Sequence, residues 1–331
     1  MRVECRQLNV ELGALPRESW SDVDLVPPDL SPWRCGNADV PGFITLRGTA
    51  PGPHLGVVSL IHGNEFAGAI ALDRLLRQGL SPSRGTLTFG FAHLDAFDRF
   101  DPARPTASRF IDEDLNRVWD PARLAEADAG GSTELKRAAA MLPMLRRFDR
   151  LLDLHSMLFA SDSLILTPDG GDGAEFAGAI GLGCAIVSDF GHAAGPRMID
   201  HPHFHGPASA CLLEAGPHWH RASVRISENA VLGAMRALDM LDRPDDAPAQ
   251  RPPPSPRARV IVTITARSHA FAFLHPYRGG TIIPRAGTPI ARDGGDEICT
   301  PCDDCLLVMP TPHPRPGHTA VRLAAPVPMP G

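Results

Sequence analysis

The chain has 331 residues, 43% of them hydrophobic and 21% charged, with a formal net charge of −6. That length and apolar content allow a sizeable core and suggest two domains, or one large domain with an appendix. The balance offers no basic stripe for nucleic acid or anionic lipid, and no apolar run reaches the roughly 20 residues that span a bilayer. The start, MRVECRQLNVELGALP, carries charges throughout and lacks the apolar stretch of a signal peptide. Seven cysteines without regular spacing fit a reducing compartment, so a cytoplasmic protein is expected.

Residues 54–61, HLGVVSLI, predict a buried strand that breaks abruptly into His62, Gly63, Asn64 and Glu65. A helix, AGAIALDRLLRQG, follows with a Gly stop. GTLTFGFAH is strand-like and leads into an irregular polar stretch ending in RFIDEDLNRVWD. STELKRAAAMLPMLRRF opens on a Ser/Thr cap, and Pro143 should kink this helix. The strands RLLDLHS, LILT, CAIVSD and ACLLEAG then alternate with the helices AEFAGAIG and RASVRISENAVLGAMRALDML. The fold class expected is α/β, with a mixed, mostly parallel sheet flanked by helices.

A proline-rich run over residues 241–258 reads as a semi-rigid linker, because proline lacks the backbone donor. It separates a larger α/β domain, 1–240, from residues 259–331, whose alternating pattern and turn signals predict a small all-β domain.

In parallel sheets, sites lie at the carboxyl ends of the strands. His62, His155 and Glu214 each sit at the end of an apolar run, so all three can share one rim. His62-x-x-Glu65 alone also reads as a capped strand end, with Glu65 at the positive end of a helix. With His155 the three make two imidazoles and a carboxylate, which leaves zinc an open position for water, as in catalytic sites. Zinc lowers the pKa of that water to about 7 and polarises a carbonyl. Glu214, at the end of CLLE, is a candidate base whose pKa burial would raise. Arg109, Asn116 and Arg117 bring guanidinium and amide donors suited to a carboxylate and an oxyanion.

HGNE, RFIDEDLNRVWD, LLDLHS and CLLEAGPHW, in this order, resemble the succinylglutamate desuccinylase/aspartoacylase family, relatives of the zinc carboxypeptidases. The similarity spans roughly residues 54–240, and the trailing β-domain suits the family as a cap over the site. The resemblance implies one zinc ion per chain, held by His62, Glu65 and His155, with Glu214 as general base and later proton donor. It also implies that Arg109 polarises the scissile carbonyl, that Asn116 and Arg117 bind the α-carboxylate of an N-acyl amino acid, and that Asp114 orients its neighbours. The position that carries an arginine for the substrate's side-chain carboxylate in aspartoacylases is Phe204 here. Arg197, the nearest upstream arginine, is the expected substitute. The tyrosine that aspartoacylases place in the pocket has no clear counterpart in Tyr277.

The expected activity is therefore zinc-dependent hydrolysis of an N-acyl amino acid, with metal-bound water activated by Glu214. The alternatives are a zinc carboxypeptidase acting on short peptides and a non-catalytic binding module on the same fold. The expected partner is a small molecule, with neither nucleic acid nor membrane; a homo-oligomer is compatible. Two further signals are weaker. HPHFH, residues 201–205, reads as pocket lining or solvated loop, with His192 and His218 near the rim. Cys299, Cys302 and Cys305 have the spacing of a structural zinc site, but equally that of two strands around a turn. No Gly-x-Ser-x-Gly elbow is present, which disfavours a serine hydrolase.

Overall fold

The computed structural model describes residues 23–127, 130–192, 194–242 and 254–328. Most of the expected proline-rich linker lies outside the described residues, as does the amino-terminal stretch read for a leader. The strands are β1 (Phe43–Arg47), β2 (Ala50–Ser59), β3 (Arg84–Phe91), β4 (Arg150–Met157), β5 (Leu164–Pro168), β6 (Ala185–Asp189) and β7 (Ser209–Pro217). The longer helices are α1 (Ala67–Arg77), α4 (Thr133–Leu145), α5 (Gly173–Ile180) and α6 (Arg221–Ala237), with the short α2 (Leu94–Phe97) and α3 (Pro121–Ala125) between β3 and α4. Helix α4 continues through Pro143 and ends at Leu145. Pro143 brings no N–H to bond the carbonyl one turn back, and the helix stops two residues later.

Strands β2, β3, β4 and β7 run parallel, while β5 reverses against β7 and β6 returns parallel to β5. Their sequences are near-continuous apolar runs because both faces are covered. Neighbouring residues of β2 show this directly. Val57 packs into one core with Leu72 of α1, Phe176 of α5 and Val231 of α6. Val58 packs into the other with Ala138 and Met141 of α4.

After the linker, β8 (Arg257–Thr265), β9 (Phe271–Phe273), β10 (Ile282–Ile283), β11 (Pro289–Asp293), β12 (Asp296–Cys299), β13 (Cys305–Val308) and β14 (Thr319–Pro326) are all strands, as the alternation predicts. They do not all form a sheet of their own. The main sheet has eleven strands in the order β1-β3-β2-β4-β7-β5-β6-β8-β14-β13-β10. The junction is a parallel pairing of β6 with β8, running from Ile186↔Arg257 to Ser188↔Arg259. Only β12, β11 and β9 make a separate three-stranded sheet, packed through Phe271, Phe273 and Ile290 onto Leu307 and Leu323. Among the described residues, no helix is long and apolar enough to cross a membrane.

Candidate active site

The site begins where β2 stops. Leu60 takes a positive φ of 58°, which turns the chain off the sheet before His62. For a non-glycine residue this is a costly conformation, of the kind that clusters at functional sites. Gly63 comes next because nothing larger fits. A Cβ there would lie 2.4 Å from the carbonyl carbon of Ala96 and 2.5 Å from the Ser108 oxygen. The Gly63 amide donates to the Arg109 carbonyl at 3.1 Å, and the Glu65 amide to the His62 carbonyl at 3.1 Å. The turn thus aims His62 and Glu65 the same way and ties them to the loop that carries Arg109. His155 and Glu214 come from the sheet itself. They are register partners on β4 and β7, so their side chains share a face.

His62, Glu65 and His155 converge, with ligand atoms within 4.8 Å of one another and all three residues buried. Both histidines turn Nδ1 towards Glu65, His62 at 2.7 Å from Oε1 and His155 at 3.1 Å from Oε2. Their far nitrogens are each held by a carboxylate, His62 Nε2 by Asp114 at 2.9 Å and His155 Nε2 by Asp153 at 2.9 Å. At His155 the carboxylate on Nε2 fixes the proton there and leaves the Nδ1 lone pair for a metal; His62 Nε2 also has Arg109 Nη2 at 2.9 Å. His62 Nδ1 is buried and makes no hydrogen bond despite its short approach to Glu65. Lone pairs of Nδ1 and Oε1 aimed at a shared point rather than at each other account for that geometry. A set of two imidazoles and one carboxylate fits zinc with an open position.

Electrostatics agree with this arrangement. Burial would raise the Glu65 pKa, but His62 and His155 outweigh it and hold the carboxyl well below its ordinary range. For His155 burial disfavours the imidazolium, yet Asp153 and Glu65 prevail and raise its pKa well above the usual value. Protons and a metal ion therefore compete for this nitrogen. Glu214 has the opposite character. Burial, with Glu65 and Asp153 nearby, raises its pKa to about 8 against the opposing pull of His155 and Arg109. Its Oε2 is buried without a hydrogen-bond partner. A bound cation would lower that value again, towards the range useful to a general base.

Arg109 donates to Glu65 Oε1 at 2.9 Å and to Asp114 Oδ2 at 3.1 Å. Among the described residues Arg117 donates to the Asn116 carbonyl alone, at 2.6 Å. Burial, with Arg109, Arg322 and Arg197 close by, pulls its pKa down to about 10 although Asp114 opposes the shift. Asn116 accepts from the Met198 amide at 2.9 Å through Oδ1. The loop bearing these residues hangs on Glu134, in the first turn of α4 and wholly buried. Its carboxylate accepts from the amides of Ile111 at 2.6 Å, Asp112 at 3.1 Å and Glu113 at 3.1 Å, and from His93 Nε2 at 2.8 Å. Glu134→Ala would leave four donors without this acceptor, His93 Nε2 buried and the three loop amides part-buried. We expect a loss of roughly 2–4 kcal/mol in stability, read from urea unfolding. An unchanged midpoint would show that the loop holds its shape without this carboxylate.

These residues line one cavity of about 210 Å³. His62, Glu65, His155, Arg109, Asn116, Arg117, Glu214 and Arg197 all border it. So do Met309, Pro310, Thr311 and Arg322 from the C-terminal strands and loops. Arg197 is buried, and its guanidinium is occupied by Asp189 at 2.5 Å and Asp200 at 2.7 Å. Phe204 packs in the core among residues of α4 and β7 rather than at the cavity. Tyr277 stacks edge-on against Phe273 and His275 in the C-terminal region. His218 borders the cavity, bonded to Ser156 Oγ at 2.8 Å, and burial pulls its pKa down to about 4, which keeps it neutral. His203 bonds the Phe148 carbonyl at 2.9 Å, so it braces the HPHFH loop. Among the described residues His62, Glu65 and His155 form the metal-type cluster, and the Cys299–Cys305 segment forms none.

A family model for the succinylglutamate desuccinylase/aspartoacylase catalytic domain matches residues 51–241. The chain belongs to that family. Succinylglutamate desuccinylase/aspartoacylase proteins are deacylases, and solved structures place this chain among them by fold. Succinylglutamate desuccinylase from Vibrio parahaemolyticus is 18% identical over 87% of each chain, with a TM-score of 0.65. The protein of that description from Chromobacterium violaceum is 19% identical over 88% of this chain and 90% of its own, with a TM-score of 0.64. A succinylglutamate desuccinylase/aspartoacylase from Rhodobacter sphaeroides is 16% identical over 87% of this chain and 89% of its own, with a TM-score of 0.63. No curated protein sequence matches. Within the desuccinylase/aspartoacylase frame, sequence reading did not single out Asp153, Glu134 or Arg322. Asp153 alone had a usable signal, since it lies two residues before His155 and so on the same strand face.

Proposed function

We propose that the protein is a zinc-dependent amidohydrolase that cleaves an N-acyl amino acid at the amide bond. The observation that supports this reading most is the cavity, which joins a metal-type cluster to Glu214 and to the under-paired Arg117, and which C-terminal residues help enclose. At about 210 Å³ it lies below the roughly 300–1,000 Å³ common for drug-sized ligands and suits a small molecule. A peptide chain needs an open cleft, and Met309, Pro310 and Thr311 wall this one.

His62, Glu65 and His155 would hold a zinc ion, which would supply Lewis acidity and lower the pKa of a water to about 7. Glu214 takes the proton from the attacking water and returns it to the leaving nitrogen, a role suited to a buried carboxylate with a raised pKa. Arg109 spends two of its five N–H donors on Glu65 and Asp114, and aims others at the carbonyl oxygen as charge develops there. Asn116 and Arg117 bind the α-carboxylate. Asp153 holds His155 in the ligating tautomer, and Asp114 bonds His62 Nε2.

Metal-assayed protein should be tested on acylated amino acids and on the same acyl groups extended to di- and tripeptides. Activity is expected on the single amino acids with a free α-carboxylate, lost on chelation and restored by zinc. Equal cleavage of the extended substrates would replace this reading with a carboxypeptidase.

A further inference from the structure

Cys302 and Cys305 lie outside the cavity and take no part in the chemistry above, yet their placement suits a chemistry of their own. Both are free thiols, whereas Cys299, just upstream, is not among the free ones. The two flank a two-residue turn, Asp303–Asp304, that leads into β13. Asp304 turns the chain with a positive φ of 48°, a conformation that aspartate tolerates better than most residues. The turn is pinned at both central residues. The Asp304 amide donates to the Pro284 carbonyl at 3.2 Å, and Asp303 Oδ1 accepts from the Ala286 amide at 2.8 Å. A β-turn brings its first and fourth Cα atoms within about 7 Å, and a disulfide spans roughly 4.4–6.8 Å between Cα atoms. The thiols are in contact: burial and the hydrogen-bonded Cys302 raise the Cys305 pKa to about 12. Exposure divides them. Cys305 is wholly buried with Ile283, Val321 and Leu323, while Cys302 sits half-buried at the margin of that cluster. An accessible thiol beside a buried one is the layout of an attacking and a resolving cysteine.

The turn also joins the two sheets, since β12 before it belongs to the three-stranded sheet and β13 after it to the main one. From Cys305, β13 runs to Val308, and the next residues, Met309, Pro310 and Thr311, wall the cavity. Leu307 of β13 donates to the Thr281 carbonyl at 2.8 Å and accepts from the Gly280 amide at 3.0 Å. Gly279 beside them bridges to Ser161, on the cavity-lining loop that follows β4. A covalent link across the turn would therefore steady two walls of the cavity through one strand.

We propose that Cys302 and Cys305 are a redox modification site, closing reversibly into a disulfide by exchange with a low-molecular-weight disulfide, and that this bond stiffens the cavity wall carried by β13. Cys302, as its thiolate, attacks one sulfur of the small disulfide. The first small thiol leaves with the proton that Cys302 gave up. Cys305 then loses its proton and attacks the Cys302 sulfur, which forms the new S–S bond and expels the second small thiol. Two electrons pass from the dithiol to the small disulfide, which departs as two thiols. The site stands whether or not the protein is a deacylase.

The test equilibrates the full chain with glutathione and glutathione disulfide at graded ratios. Thiols are blocked with one alkylating agent, disulfides reduced, and the released thiols marked with a second before peptide mass analysis. Cys302 and Cys305 should acquire the second mark together, and lose it when dithiothreitol precedes blocking. Cys305→Ala, which keeps the buried position apolar, should trap glutathione on Cys302 because no resolving thiol remains. Cys302→Ser should leave Cys305 unmodified, since burial shields it. Hydrogen exchange at the Gly280 and Leu307 amides should slow several-fold in oxidised wild type and not in Cys305→Ala treated alike. Retention of the first mark on both cysteines at the most oxidising ratio would overturn the proposal, as would pairing of Cys302 with Cys299 instead. Equal exchange in the two redox states of wild type would overturn the stiffening of the wall.

Discussion

Glu214→Gln should keep one metal ion per chain while losing turnover by about 10²–10⁴-fold, the usual worth of a positioned acid–base group. The substitution keeps shape and removes the one carboxylate lining the cavity, among the described residues, whose Oε2 has no hydrogen-bond partner. Glu65 is shared between two imidazoles, Arg109 and the Ser156 amide. Asp114 is bonded to His62 and Arg109. Glu214 has a buried oxygen without a partner and a pKa raised by burial, to about 8. The loss should fall on kcat, because Gln still fills the site and binding groups on the Arg117 side are untouched. Metal content, measured alongside, separates chemistry from binding. Activity within a few-fold of wild type would remove Glu214 from the reaction.

His155→Ala should leave the protein nearly metal-free after dialysis and abolish turnover. Two donors, His62 and Glu65, would remain where a zinc site normally needs at least three from the protein. The substitution also leaves Asp153, wholly buried, facing a void in place of an imidazole. Asp153→Asn provides the milder companion. It keeps the ligand but weakens the hold on His155 Nε2, and changes of that kind typically cost 10–100-fold in metal affinity, so roughly that loss is expected. Metal analysis and competition with a chelator read both. Full metal retention in His155→Ala would move the site elsewhere, with the free thiols Cys302 and Cys305 the first to test.

The catalytic half was legible because doubly covered parallel strands are written as apolar runs and their ends as abrupt polar breaks. HGNE, LLDLHS and CLLE are three such breaks, and each contributes to the cavity. Less could be read downstream. The strands β8 to β14 were recognisable one by one, but the pairing of β8 with β6 depends on a partner about 70 residues away, and alternation carries no information about partners. Arg322 and Glu134 were hidden for a related reason. An arginine on a strand or a glutamate in a first helical turn looks the same in sequence whether it faces water or a cavity. Arg197, by contrast, drew attention by its position, and its two aspartates became visible only in three dimensions.

The β6–β8 pairing also bears on solubility. Ile186 and Val187 of β6 are buried, and Ile186, Val187 and Ser188 face partners on β8. A chain ending after α6 would expose that strand as a flat, apolar margin with free backbone donors and acceptors, the kind of template on which chains stack edge to edge. The C-terminal strands therefore act as a border as well as a wall of the cavity. They carry the sheet on from β6 to the two-residue strand β10, and so short an edge offers little purchase to another molecule. The cavity wall and the protected sheet margin thus fall to the same stretch of chain, and a mutation in β14 can disturb either one through the other.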